Sequence, residues 1–145
     1  MPEGDKVVSA MAFDFGLGHI GCAVGQTLTG SARPLAVLKA RDGQPDWQQL
    51  ARLVGDWRPD VLLVGLPLNM DGSESEFCGR ARKFARRLHG RLNLPVKMVD
   101  ERLSSREAKD RGGRRDSYRK QPVDDLAAQV ILETWLADPG QTLPP

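Results

Sequence analysis

The sequence predicts a single alternating α/β domain in which an antiparallel three-strand meander precedes two strands interleaved with helices. Three observations carry this. An apolar run, Val7–Phe15, leads through Gly16 and Gly18 into a second run, Ile20–Gln26, as a tight hairpin requires. Val61–Gly65 is continuously apolar, the pattern of a central strand covered on both faces. Two segments between and after these runs repeat their apolar residues at helical spacing.

The elements follow in order. Arg33–Lys39 is the third strand of the meander. Asp46–Trp57 is a helix whose Trp47, Leu50, Leu53, Val54 and Trp57 recur on one face and read as core. After the Val61–Gly65 strand comes a helix over Glu74–Leu92. Its Phe77, Ala81, Phe84, Ala85 and Leu88 form the buried stripe, and Arg80, Arg82, Lys83, Arg86 and Arg87 face water. Val96–Val99 is a fifth strand, followed by helices at Ser104–Arg111 and Val123–Ala137. The whole chain, 1–145, is one domain, and the Pro-rich end at 138–145 reads as a flexible tail.

Composition narrows the function. With 145 residues, 40% of them hydrophobic, the chain can bury a sizeable core. No apolar run is long enough to span a membrane and Met1–Asp5 has no signal-peptide character, so a cytoplasmic protein is expected. Cys22 and Cys78 lack metal-binding spacing and read as reduced core residues, while His19 and His89 are too isolated for a zinc cage. The net charge of +2 hides a polarity: Arg80–Lys120 holds fifteen Lys and Arg against five Asp and Glu. Such clustering attracts polyanions whatever the net charge. Within it, Arg106–Gln121 has few core residues and a Gly112-Gly113 break, so it reads as a short helix and a basic loop suited to a phosphodiester backbone, with Tyr118 available to stack on a base.

Asp14 is the most informative residue. It closes the first apolar run, where a carboxylate loses its hydration at a cost of several kcal/mol unless a cation or donors meet it. Asp100 or Glu101 ends the fifth strand, and Asp124 or Asp125 opens the last helix. Each pair has an ordinary reading, as a solvated turn or a helix cap. Three carboxylates at the ends of regular elements also suit one or two Mg²⁺ or Mn²⁺ ions, which prefer oxygen ligands.

The chain resembles the YqgF (RuvX-type) family from about Ala10 to Leu136. The resemblance rests on Phe13-Asp14-Phe15-Gly16 through Ile20–Gly25, on Val64-Gly65-Leu66-Pro67-Leu68-Asn69-Met70-Asp71-Gly72-Ser73, on Asp100–Ser104, and on Val123–Ala128. It implies an RNase H-like fold, a five-stranded mixed sheet with helices on both faces. It further implies a nuclease acting on pre-16S rRNA or on Holliday junctions, with Asp14, Glu101 and Asp124 as catalytic and metal-binding acids. Asn69 would orient substrate or a metal-bound water, and Arg102, Arg106, Arg114, Arg115, Arg119 and Lys120 would neutralise phosphates. The expected partner is therefore nucleic acid, bound by a monomer or a homodimer. A junction resolvase would act as a symmetric dimer, and a non-catalytic RNA-binding assembly factor would keep the acids only as structure. One departure stands out: Gly16-Leu17-Gly18 replaces the family's usual Gly-Thr-Lys, removing a hydroxyl and an ammonium.

Overall fold

The computed structural model describes residues 7–103 and 124–145, the side chains of Asp124 and Asp125 excepted. Among the described residues, β1 (Ser9–Asp14), β2 (His19–Gln26), β3 (Ser31–Arg41), β4 (Gln44–Pro45), β5 (Val61–Leu66) and β6 (Val96–Asp100) form one sheet. The helices are α1 (Trp47–Trp57), α2 (Glu76–Leu92) and α3 (Asp124–Ala137). The expected helix at 104–111 and basic loop after it lie outside the described residues.

Strand order is β4-β3-β2-β1-β5-β6. β1 pairs antiparallel with β2 and parallel with β5, and β5 pairs parallel with β6, so the sheet is mixed. The meander and the parallel half match expectation, but the sheet has six strands rather than five. The extra one, β4, is only two residues long and pairs with Ala40 and Arg41. Asp42 and Gly43 make its turn, both with positive φ (51° and 81°), the signature of a type I′ hairpin. The Asp-Gly pair is thus the signal for a strand too short to show periodicity. Pro34 falls at a register shift opposite Cys22 and Ala23, where a bulge tolerates its missing N–H.

Alternation along β1 divides the core. Met11 and Phe13 join Leu62, Val64, Leu50, Ala81, Phe84 and Leu88 on the face of α1 and α2. Ala10 and Ala12 join Leu63, Val99, Ala128, Ile131, Leu132 and Trp135 on the face of α3. Small residues on that second face let α3 lie close to the sheet. Asp46 caps α1 by accepting from the N–H groups of Gln48 and Gln49 (3.0 and 3.2 Å), and Ser75 caps α2. Trp57, expected in the core, is 38% exposed, with the Arg33 guanidinium 4.9 Å from its ring centroid. At the last position of α1 it lines a surface cavity with Ser9, Val24 and Arg33.

The segment after Ala137, expected to fray, returns to the sheet. The Met98 N–H donates to the Leu143 carbonyl (2.8 Å) and the Leu143 N–H donates back (2.9 Å), while Arg82 donates to the Pro144 carbonyl. These bonds cover the outer edge of β6, which would otherwise offer unpaired backbone groups.

Cys22 is fully buried, and burial pushes its thiol up to about 12 from 9.0. A raised pKa contributes stability that is complete below the unfolded thiol's value and is lost as pH rises toward the folded one. The denaturant midpoint should therefore fall progressively from about pH 9 to 11, and fall less in Cys22→Ala. A thiol probe at pH 8 should label Cys22 only after unfolding.

Candidate active site

β1, β5 and β6 run parallel, so their carboxyl ends meet at one edge of the sheet, the usual place for a site in an open α/β fold. Asp14 is the last residue of β1 and is half-buried. It follows Ala10 and Ala12 in alternation, which aims it to the α3 face. Phe13 is level with Val64, so the same register brings Asp14 beside Gly65.

The two acids at the end of β6 part company. Val96 and Met98 belong to the α1/α2 face and Val99 to the α3 face, so alternation sends Asp100 away from Asp14. Asp100 is 9% exposed and clasped by Arg102. Its Oδ1 accepts from the Arg102 backbone N–H (2.9 Å) and Nε (3.1 Å), and its Oδ2 from Nη2 (2.8 Å). Those hydrogen bonds raise the guanidinium pKa further above its ordinary value. Glu101 instead reaches the α3 side. Its Oε2 lies 3.0 Å from the point where a Cβ on Gly65 would stand, and Ile131 Cδ1 lies 2.5 Å from that point.

Gly65 is therefore the floor of the site. Asp14 flanks it from β1 and Glu101 from the turn after β6, with α3 above through Ile131. Only a residue without a side chain lets Glu101 and Ile131 come this close. Sequence reasoning read Gly65 as the end of an apolar run; the signal available was a glycine closing a buried strand, which often marks a close approach.

The loop after β5 is closed on itself. The Asn69 N–H donates to the Ser73 carbonyl (2.9 Å), Gly72 N–H to the Asn69 carbonyl (2.8 Å), and Asn69 Nδ2 to Ser73 Oγ (3.0 Å). Asp71 accepts from the Ser73 N–H (2.9 Å) and hydroxyl, bonds that hold its carboxyl below the usual carboxylate range. Arg102 Nη1 donates to the Met70 carbonyl (3.3 Å), tying this loop to the end of β6. Arg102, expected to meet phosphate, is thus engaged with Asp100 and this loop.

Beyond Asp14, the Gly16–Gly18 turn is tied to the neighbouring hairpin: Ala40 N–H donates to the Gly18 carbonyl and Gly43 N–H to the Leu17 carbonyl, both at 2.9 Å. Leu17 is 41% exposed there.

Asp124 is the first residue of α3, four and seven positions before Ala128 and Ile131; its side chain lies outside the described residues. So do Arg106, Arg114, Arg115, Arg119 and Lys120. Among the described residues no three His, Cys, Asp or Glu cluster as a metal site. The carboxylates of Asp14 and Glu101 fit a divalent ion by donor chemistry, oxygen without thiol or imidazole. No helix among the described residues is long and apolar enough to cross a membrane.

A mixed sheet of this order, helices on both faces and acids at the ends of its parallel strands define an RNase H-like domain. Its backbone matches that of T. thermophilus RuvC in complex with Holliday junction substrate, at TM-score 0.60 and 18% identity over 95% of this chain and 99% of that one. A second Thermus thermophilus RuvC structure matches at 0.58 and 16%, over 94% and 99%. At such identities the likeness shows the fold. The chain belongs to the RuvX family, whose model, described as Holliday junction resolvase, matches residues 8–138. It is 57% identical over 131 residues to a protein of Azotobacter vinelandii named "Putative pre-16S rRNA nuclease", covering 88% of this chain and 92% of that one. A protein of the same name from Marinobacter nauticus is 59% identical over 129 residues, covering 86% and 90%.

Proposed function

We propose that this protein is a metal-dependent nuclease that hydrolyses phosphodiester bonds in 5′-end processing of pre-16S rRNA. The observation that carries the reading is Asp14 and Glu101 flanking the bare backbone of Gly65 at the carboxyl edge of the sheet. The names of relatives at 57% and 59% identity favour an rRNA precursor over a four-way DNA junction.

In this reading Asp14, Glu101 and Asp124 hold one or two Mg²⁺ or Mn²⁺ ions. A bound ion of this kind supplies Lewis-acid stabilisation of the charge that builds on the phosphoryl group. The chain supplies the rest. β1 and the turn after β6 hold the two carboxylates on one face. Gly65 lets Glu101 and Ile131 pack against its bare backbone, and Asn69, on its closed loop, orients the substrate. Arg102 positions that loop while Asp100 neutralises it. Arg106, Arg114, Arg115, Arg119 and Lys120 neutralise backbone phosphates, which makes binding weaken with salt.

Metal removal tests the reading. EDTA-treated protein should leave a 5′-extended 16S precursor intact, and Mn²⁺ or Mg²⁺ should restore trimming while Ca²⁺ supports binding with little cleavage. Undiminished cleavage after exhaustive chelation would refute the metal requirement.

A further inference from the structure

At the amino end of β1 the sheet carries a row of polar residues. Ser9 stands opposite Gln26 and Gln26 opposite Ser31, so the row crosses β1, β2 and β3. Ser9 alternates in step with Met11 and Phe13, which puts the row on the α1 side of the sheet. Arg33, two residues after Ser31, shares that side and lays its guanidinium 4.9 Å from the Trp57 ring centroid. Thr29, on the turn beside the row, shares a hydrogen bond with the Ser31 hydroxyl (2.7 Å). These residues line a surface cavity of about 320 Å³, within the range of small-ligand pockets. The nearby Asp60 carboxylate accepts from the Ser9 backbone N–H (2.9 Å). Arg80, Arg82 and Arg102 each pair with an acid, whereas no carboxylate among the described residues pairs with Arg33.

We propose that this cavity is a second nucleotide site, holding a base against the Trp57–Arg33 pair and a phosphate on the guanidinium. The indole and the guanidinium are planar groups on which any base can stack. A guanidinium without an acid partner presents its N–H donors in the fork that fits phosphate. The Ser9–Gln26–Ser31 row offers hydroxyls and an amide to the sugar. The cavity is separate from the acids: Ser9 and Asp14 stand at opposite ends of β1, about 17 Å apart, and face opposite sides of the sheet. Its nucleotide is therefore not the one being cut. It is either a distant unit of a strand that also occupies the acid site or a free nucleotide, and only the first of these rests on the nuclease reading.

The test follows the three indole N–H signals of the full chain by NMR in EDTA, with that of Trp57 identified by its loss in Trp57→Phe. Adenosine 5′-monophosphate should shift the Trp57 signal saturably and leave those of Trp47 and Trp135 in place. Adenosine, which lacks the phosphate, should bind about tenfold more weakly, and Arg33→Gln should abolish that difference. For single-stranded RNA, Trp57→Ala should weaken Kd about fivefold or more, while Trp57→Phe retains binding. Arg33→Gln should lower the slope of log K against log salt by about 0.7. Both side chains are exposed, so thermal melts of the variants should differ by no more than a few degrees. A strand long enough to reach both sites should bind about 10²-fold more tightly than the monophosphate if one RNA fills them; equal affinity would assign the cavity to a free nucleotide. No saturable Trp57 shift with monophosphate or RNA would overturn the site, and cleavage of the rRNA precursor by the same protein with metal restored would leave the nuclease reading standing. Equal binding of adenosine and its monophosphate would take Arg33 out of the site and overturn the proposal. A Trp57 shift in a protein that cuts no RNA would uphold the site and overturn the nuclease reading alone.

Discussion

Asp14→Asn and Glu101→Gln should each reduce cleavage of the rRNA precursor by about 10²–10³-fold or more, with Tm shifted by no more than a few degrees. The size follows from the role proposed for the acids: metal-assisted stabilisation of a transition state contributes several kcal/mol, and each 1.36 kcal/mol is a factor of ten in rate. The small effect on stability follows from shape. Each amide has nearly the volume of its acid and removes one of two negative charges that flank Gly65, so the folded state loses repulsion along with any bond to the lost charge. The double variant should be little worse than either single one, because groups that act as a unit are not additive. Asp100→Asn offers the contrast. It weakens the clasp on Arg102 and should affect stability and loop order more than the chemistry.

Gly65→Val should give the second large effect, a loss of activity of about 10²-fold, the size of penalty that a misplacement of about 1 Å produces. A Cβ at residue 65 would stand 2.5 Å from Ile131 Cδ1 and 3.0 Å from Glu101 Oε2, so both must move. Ile131 can rotate the end of its side chain; Glu101 can yield only by leaving its place beside Asp14. The overpacking should cost about 1–3 kcal/mol of stability. Gly65→Ala should show the same pattern more mildly. Shortening the helix side with Gly65→Ala/Ile131→Val should recover stability without recovering activity. Recovery of both would mean that α3, rather than Glu101, transmits the damage.

Much of this was legible in the chain because the informative residues break local rules. An acid at the end of a buried run marks Asp14, and the glycines after it mark the hairpin that pairs Asp14 with Gly21. Helical periodicity placed α1 and α2 to within two residues. That Asp100 and Glu101 take opposite faces was not legible locally, since adjacent acids look alike until the sheet assigns their sides. Partners in space were less legible. Nothing local shows that Arg102 folds back on Asp100, that Leu143 hydrogen-bonds to Met98, or that Gly65 lies under Glu101. β4 escaped because two residues cannot display a period of two, although Asp42-Gly43 announces its turn.

The proposed role of these acids is tested most directly on RNA. Cleavage of a 5′-extended 16S rRNA precursor in Mn²⁺ should be measured beside a four-way DNA junction of equal concentration, with the unmodified protein and Asp14→Asn prepared in parallel. Trimming of the RNA by the unmodified protein alone is expected, with the junction left whole. Equal trimming by Asp14→Asn would contradict the site, and cutting confined to the junction would contradict the substrate.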